Sequence, residues 1–170
     1  MTIAAEGTHR QMDVDLFRAV LRRQATSVVV ITAGGPSPVG FTATSFTSVS
    51  AAPPLVSFNL DRGSSSWPTV EAAEHVAVHL LGRHHEHLAR RFSTSGIDRF
   101  AGTSWTPGPH GVPLLDDVPA WLVARVVHRV PAGDHAIVLA EPLLGAHAAQ
   151  PHPPLVYHMG SYHSIDPLGT

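Results

Sequence analysis

The chain has 170 residues, 44% apolar, 14% charged and 6% aromatic, which suits one globular domain with a sizeable core. Eleven Lys+Arg against thirteen Asp+Glu give a formal charge of −2, so the basic excess that nucleic-acid binding needs is missing and no nucleic-acid partner is expected. The lack of cysteine excludes a disulfide framework, thiolate metal sites and cysteine nucleophiles, and makes the cytoplasm the expected compartment.

Residues 1–12 carry Glu6, His9 and Arg10 without an apolar central stretch, and read as a loose tail rather than a signal peptide. No later apolar run approaches the roughly 20 residues of a membrane-spanning helix, so no membrane partner is expected. Asp13 predicts the cap of a short amphipathic helix. Its stripe of Leu16, Phe17, Val20 and Leu21 packs on something larger, and Arg18, Arg22 and Arg23 turn to water. Residues 27–32 (SVVVIT) predict a strand stopped by the Gly/Pro turn at 34–38. A second strand starts at Val39 and runs on to Ser50, and a third covers residues 55–60 (LVSFNL). Their short connectors favour antiparallel pairing.

Ser66 and Pro68 predict a helix start, followed by a strand over residues 76–81 and a helix over residues 84–92 with Leu88 and Phe92 on one face. Residues 93–119 predict an ordered surface loop anchored by Phe100 and Trp105. Residues 121–130 and 135–139 predict a strand pair, residues 146–154 a connector, and residues 155–158 a last strand. The expected architecture is mainly β and antiparallel, a small barrel with two or three peripheral helices. The expected domain spans residues 13–165, between tails 1–12 and 166–170.

Six of the nine residues 42–50 (TATSFTSVS) carry a hydroxyl, although the segment lies between apolar strands. A buried hydroxyl without a partner costs roughly 1–3 kcal/mol, so these face either solvent, as an exposed Thr/Ser-rich edge, or a polar ligand held by hydroxyls and backbone N–H groups. Ser64, Ser65 and Ser66 after Asn59, Leu60 and Asp61 make a second cluster, which reads as a cap and turn or as the facing side of a cleft. Arg90, Arg91 and Phe92 place guanidinium groups beside a ring, suited to a phosphate and a stacking surface or to a solvated helix face. His84, His85, Glu86 and His87 lack the spacing of a three-ligand zinc site and read as a surface tract, so no metal is expected. Gly133, Asp134 and His135 either cap a turn or aim an imidazole from it. Neither a phosphate loop, a G-x-G-x-x-G turn, an HExxH helix nor a G-x-S-x-G elbow is present.

One ordered series of stretches begins with Phe17-Arg18, residues 28–32, Val39-Gly40-Phe41-Thr42, Ser45-Phe46-Thr47-Ser48-Val49-Ser50, Pro53-Pro54-Leu55-Val56 and Leu88-Ala89-Arg90-Arg91-Phe92. Arg99-Phe100-Ala101-Gly102, Trp105, Gly133-Asp134-His135 and Tyr157-His158-x-Gly160-x-Tyr162 complete it. The series resembles the flavin reductase-like family of FMN-binding split barrels. The resemblance implies a six-stranded antiparallel split β-barrel, a homodimer with the flavin groove near the subunit interface, and a flavin reductase. Such an enzyme passes hydride from NADH or NADPH to FMN or FAD and supplies a separate monooxygenase.

By the same resemblance, Thr42, Thr44, Ser45, Ser48 and Ser50 line the flavin, as do Asn59, Leu60, Asp61, Ser65 and Ser66. Arg91 and Phe92 lie on its phosphate side. His135 faces the nicotinamide and orients it, and Tyr157, His158 and Tyr162 close the dinucleotide site. Three positions depart from the family pattern. Ser27 and Ala140 replace glycine, and Met159 replaces a common arginine, which removes a cation that could hold a phosphate or ribose. A flavin-carrying barrel without reductase activity is the alternative, and a histidine-rich metal binder a third.

Overall fold

The computed structural model describes residues 11–166. Residues 1–10 and 167–170, nearly all of the two expected tails, lie outside the described residues. Asp13 caps helix α1 (Val14–Leu21), its carboxylate accepting from the N–H groups of Asp15 and Leu16 at 3.0 and 3.1 Å. No residue of α1 is buried, so the packing expected of its apolar stripe is not made within the chain.

The expected strand at residues 27–32 divides at Val28 into β1 (Thr26–Ser27) and β2 (Val29–Ala33). All five residues of β2 are buried, because both of its faces are covered. Val29, Ile31 and Ala33 face the main core, whereas Val28 and Val30 face a second core under α3 (Glu86–Ser93). The chain continues through β3 (Val39–Ala43), β4 (Thr47–Ala51), β5 (Pro54–Asp61), α2 (Trp67–Ala72) and β6 (His75–Leu80). After α3 come β7 (Trp105–Pro107), β8 (Pro113–Leu115), β9 (Ala120–Ala132), β10 (His135–His147), β11 (Leu155–His158) and β12 (Ser161–Ser164).

One antiparallel sheet has the order β3-β2-β6-β9-β10-β5-β4. Six strands were expected and seven form, because the segment from Val39 to Ala51 bends at residues 44–46 and its halves pair with opposite ends of the sheet. Counted as one bent strand, β3–β4 gives six segments. The two sheet edges are joined covalently there and not by a ladder, so the barrel is split. The sheet curls around one core: Phe41 of β3 and Phe58 of β5, far apart in strand order, lie with ring centroids 6.0 Å apart.

Strands β1, β11 and β12 form a second sheet, and β7 with β8 a third. The region expected to be a surface loop therefore holds a short ladder. Its Val112 and Leu115 are buried, and Thr32 donates to the Pro113 carbonyl at 2.6 Å, so this segment closes one side of the barrel. The aromatic anchoring is as expected, with Phe92, Phe100 and Trp105 meeting edge-on at 5.3 and 5.4 Å. No helix among the described residues is long and apolar enough to cross a membrane.

Candidate functional site

A cavity of about 760 Å³ opens where the bend after β3, the end of β5, the end of α3 and the start of β10 converge. Thr42, Thr44 and Ser45 line it on one side, and Asn59, Leu60, Asp61, Ser64 and Ser65 on another. Phe92, Ser93, Ser95, Gly96, Arg99 and His135 complete the wall. The sequence clusters thus come together in one cleft.

Local bonds hold this shape. The Thr42 hydroxyl donates to the Ala89 carbonyl at 2.7 Å and fixes α3 against β3. Ser45 Oγ accepts the Asn59 N–H at 2.9 Å, tying the bend to β5. Asp61 accepts the Gly63 N–H at 2.7 Å, and Arg62 donates to the Gly133 carbonyl at 2.7 Å, which joins the β5 turn to the β9–β10 turn. Thr42 and Ser45 are therefore occupied by the fold, whereas Thr44 and Ser65 make no side-chain hydrogen bond among the described residues. Ser48 and Ser50 sit on β4 and line neither this cavity nor its neighbour.

Arg91 was expected on the phosphate side, whereas Arg99 carried no expected role. Arg91 donates to the carbonyls of Asp98, Arg99 and Ala101 and braces the loop after α3, outside the cavity wall. Arg99 reaches the cavity instead, donating to the carbonyls of Thr94 and Gly40 at 2.8 Å each and to Ser66 Oγ at 3.1 Å. Partial burial lowers its pKa from the usual guanidinium value, and no carboxylate pairs with it among the described residues. Ser66 is buried and is a ligand of Arg99 rather than of the cavity. The sequence signal for Arg99 was a lone cation in a Gly/Ser-rich loop beside an anchoring aromatic, Phe100.

His135 stands opposite Asp61 in the β10–β5 register and lines the cavity. Its Nδ1–H donates to Asp134 Oδ1 at 2.6 Å, which leaves Nε2 as the free ring nitrogen. That hydrogen bond holds the Asp134 carboxyl below its usual pKa.

A second groove, about 1300 Å³, runs between α1, the bend and the β11–β12 turn, and shares Thr44, Ser45 and Asn59 with the first. Tyr157 and His158 line this groove. Tyr162 does not. It packs on its cross-strand partner Tyr157 at 5.1 Å and beneath the Arg90 guanidinium at 5.1 Å. Of the histidine tract, His85 Nδ1 accepts the Gly82 N–H at 3.1 Å, and His87 Nδ1 lies 3.1 Å from the His84 carbonyl. Among the described residues no three His, Asp or Glu side chains are grouped to hold a metal.

The family model described as "Flavin reductase like domain" matches residues 21–166. The chain belongs to the flavin reductase-like family. An NADH:FMN oxidoreductase of Rhodococcus erythropolis is 45% identical over 159 residues, covering 90% of this chain and 82% of that protein. The reductase subunit of a flavin-dependent monooxygenase of Mycobacterium tuberculosis is 34% identical over 163 residues, covering 94% and 87%. Among solved structures, a flavin reductase domain protein from Arthrobacter sp. FB24 superposes with a TM-score of 0.87 at 39% identity, over 92% of this chain and 98% of that one. The NADH:FAD oxidoreductase of Streptomyces globisporus, in complex with NAD and FAD fragments, gives 0.86 at 31% identity over 91% and 94%.

Within this flavin reductase-like chain the three departures have distinct settings. Ser27 lies in β1 opposite Val156, and Ala140 is buried at a register shift in β10, where its small side chain fits the core. Met159 takes a left-handed conformation, φ 51°, beside Gly160 at φ 86° in the two-residue turn that joins β11 to β12.

Proposed function

We propose that the protein is an NAD(P)H-dependent flavin reductase that reduces FMN or FAD for a separate monooxygenase. Family membership supports this, and so does one feature of the structure: two grooves, one rimmed by hydroxyls with one guanidinium, Arg99, and one carboxylate, Asp61, the other lined by the hairpin expected at the dinucleotide site, meet at Thr44, Ser45 and Asn59. The first groove fits a flavin by its donor set. Thr44 and Ser65 offer neutral hydroxyls for the ring edges, and Ser64, Ser65 and Arg99, which faces no carboxylate among the described residues, offer donors for a phosphate. Flavin, when bound, supplies a two-electron acceptor for the hydride of a dihydronicotinamide.

The chain's own part is placement. The backbone N–H groups of the bend at Thr44–Thr47 offer donors toward the ring edge where negative charge develops. Phe92 lines the cavity, and Asp134 fixes the His135 tautomer so that Nε2 is free to orient the nicotinamide or its ribose. The same reading takes residues 13–165 as one catalytic domain. It also takes the protein as a homodimer, because α1 leaves its apolar stripe exposed.

The test is dihydronicotinamide consumption with FMN or FAD, with and without chelator, together with flavin fluorescence quenching. Chelator-insensitive turnover is the expected result, and flavin binding without turnover would favour a carrier. His135→Ala should raise KM for the dinucleotide several-fold and leave KM for flavin nearly unchanged. Equal losses on both would remove its orienting role.

A further inference from the structure

The chain contains no lysine, so its cationic side chains at neutral pH are its eleven arginines. Arg62, Arg91, Arg99 and Arg129 donate to backbone carbonyls. Arg18, Arg83, Arg90 and Arg125 each face a carboxylate. Among the described residues only Arg22 and Arg23 make neither a side-chain hydrogen bond nor an ion pair, and both line the larger groove. Asp15 is the sole acid on that wall, and it lies 4.0 Å from Arg18. The groove is therefore locally cationic on a chain of net charge −2.

The position of these arginines is set by the hairpin. The Met159 N–H donates to the Arg22 carbonyl at 3.1 Å, which pins the end of α1 to the β11–β12 turn. From these observations we infer that Arg22 and Arg23 bind the pyrophosphate of the dinucleotide hydride donor. The inference rests on the reductase reading and adds the residues that hold the donor's anionic centre. A cation at a helix C-terminus also favours the helix dipole, but that role alone makes no demand for a groove shared with Thr44, Ser45 and Asn59. Leu16 and Val20 lie on the side of α1 away from the groove, whereas Phe17 and Leu21 line it beside Arg22 and Arg23, so a partner subunit covering the apolar stripe borders the groove.

The experiment compares wild type with the double variant Arg22→Ala/Arg23→Ala. Titration calorimetry with ADP-ribose, which carries the pyrophosphate without nicotinamide, should show about tenfold weaker binding. KM for NADH should rise by a similar factor, with kcat and the Kd for FMN unchanged. Dihydronicotinamide riboside, which has no phosphate, should be oxidised equally well by both proteins. Arg22→Lys/Arg23→Lys should recover most of the ADP-ribose affinity. Unchanged ADP-ribose binding, or an equal loss on the riboside, overturns the assignment. A wild type that binds no flavin and oxidises no dinucleotide overturns the reductase reading instead.

Discussion

His79 is fully buried, and both of its ring nitrogens are occupied: Nδ1–H donates to the Val30 carbonyl at 3.0 Å, and Nε2 accepts the Leu115 N–H at 3.1 Å. Only the neutral ring can make both bonds, so burial lowers its pKa from 6.5 to about 4, against a weaker opposing effect of the Val30 carbonyl. The unfolded chain protonates this residue below pH 6.5 and the folded one only near pH 4. Its contribution is therefore complete above pH 6.5, shrinks as pH falls and has gone by about pH 4, a loss of about 3 kcal/mol. Urea midpoints across that range should fall less steeply for His79→Gln, which can still donate and accept, than for wild type. Identical slopes would remove His79 as the cause. Arg91 and Arg99 separate just as cleanly. Arg99→Met should weaken FMN binding about tenfold and spare riboflavin, which has no phosphate. Arg91→Met, which frees three carbonyls, should cost about 1–2 kcal/mol of stability and change the ratio of FMN to riboflavin affinity little.

Elements meet tightly where α3 crosses β3. A Cβ on Gly40 would come within 2.5 and 2.8 Å of the Phe92 ring, which is fully buried and has no room to yield. Gly40→Ala should therefore destabilise by about 1–3 kcal/mol and also weaken flavin binding, because α3 leads directly to Ser93, Ser95 and Arg99. Thermal melts and fluorescence quenching would show the two losses together, and loss of neither would mean that α3 adjusts freely. The β2 core strand, the α3 face of Leu88 and Phe92, and the hydroxyl clusters on either side of the cleft were legible because apolar runs and helical spacing report burial directly. Other features were not. Pro142 hid the second half of β10, which is tolerated because it lies past the last β5 partner, Ala140, and beside a register shift. Residues 42–50 read as one rim, but the bend at 44–46 carries Ser48 and Ser50 away along β4, and no local pattern announces a bend whose cause is pairing with two distant strands. Arg91 and Arg99 look alike in sequence, and only the course of the loop between them decides which one reaches the cavity.

The whole molecule leaves one surface unexplained by its own chain. Leu16, Phe17, Val20 and Leu21 are 54, 51, 53 and 48% exposed, although they form the stripe that an amphipathic helix buries. An eight-residue helix is marginal in water without tertiary packing. In the proposed homodimer a second copy covers this stripe, and four half-exposed large side chains offer on the order of 4 kcal/mol per helix when buried. Leu16→Glu/Val20→Glu places two carboxylates in that contact and leaves Asp13 free to cap. Light scattering after gel filtration should then show the wild type at twice the chain mass and the variant at the chain mass, with a loss of helical circular dichroism equivalent to α1. Because α1 also walls the larger groove, KM for the dinucleotide should rise in the monomer more than KM for flavin. A variant that remains dimeric would place the subunit contact elsewhere on the barrel, and a wild type that is monomeric at all concentrations would remove the partner subunit from the account of α1.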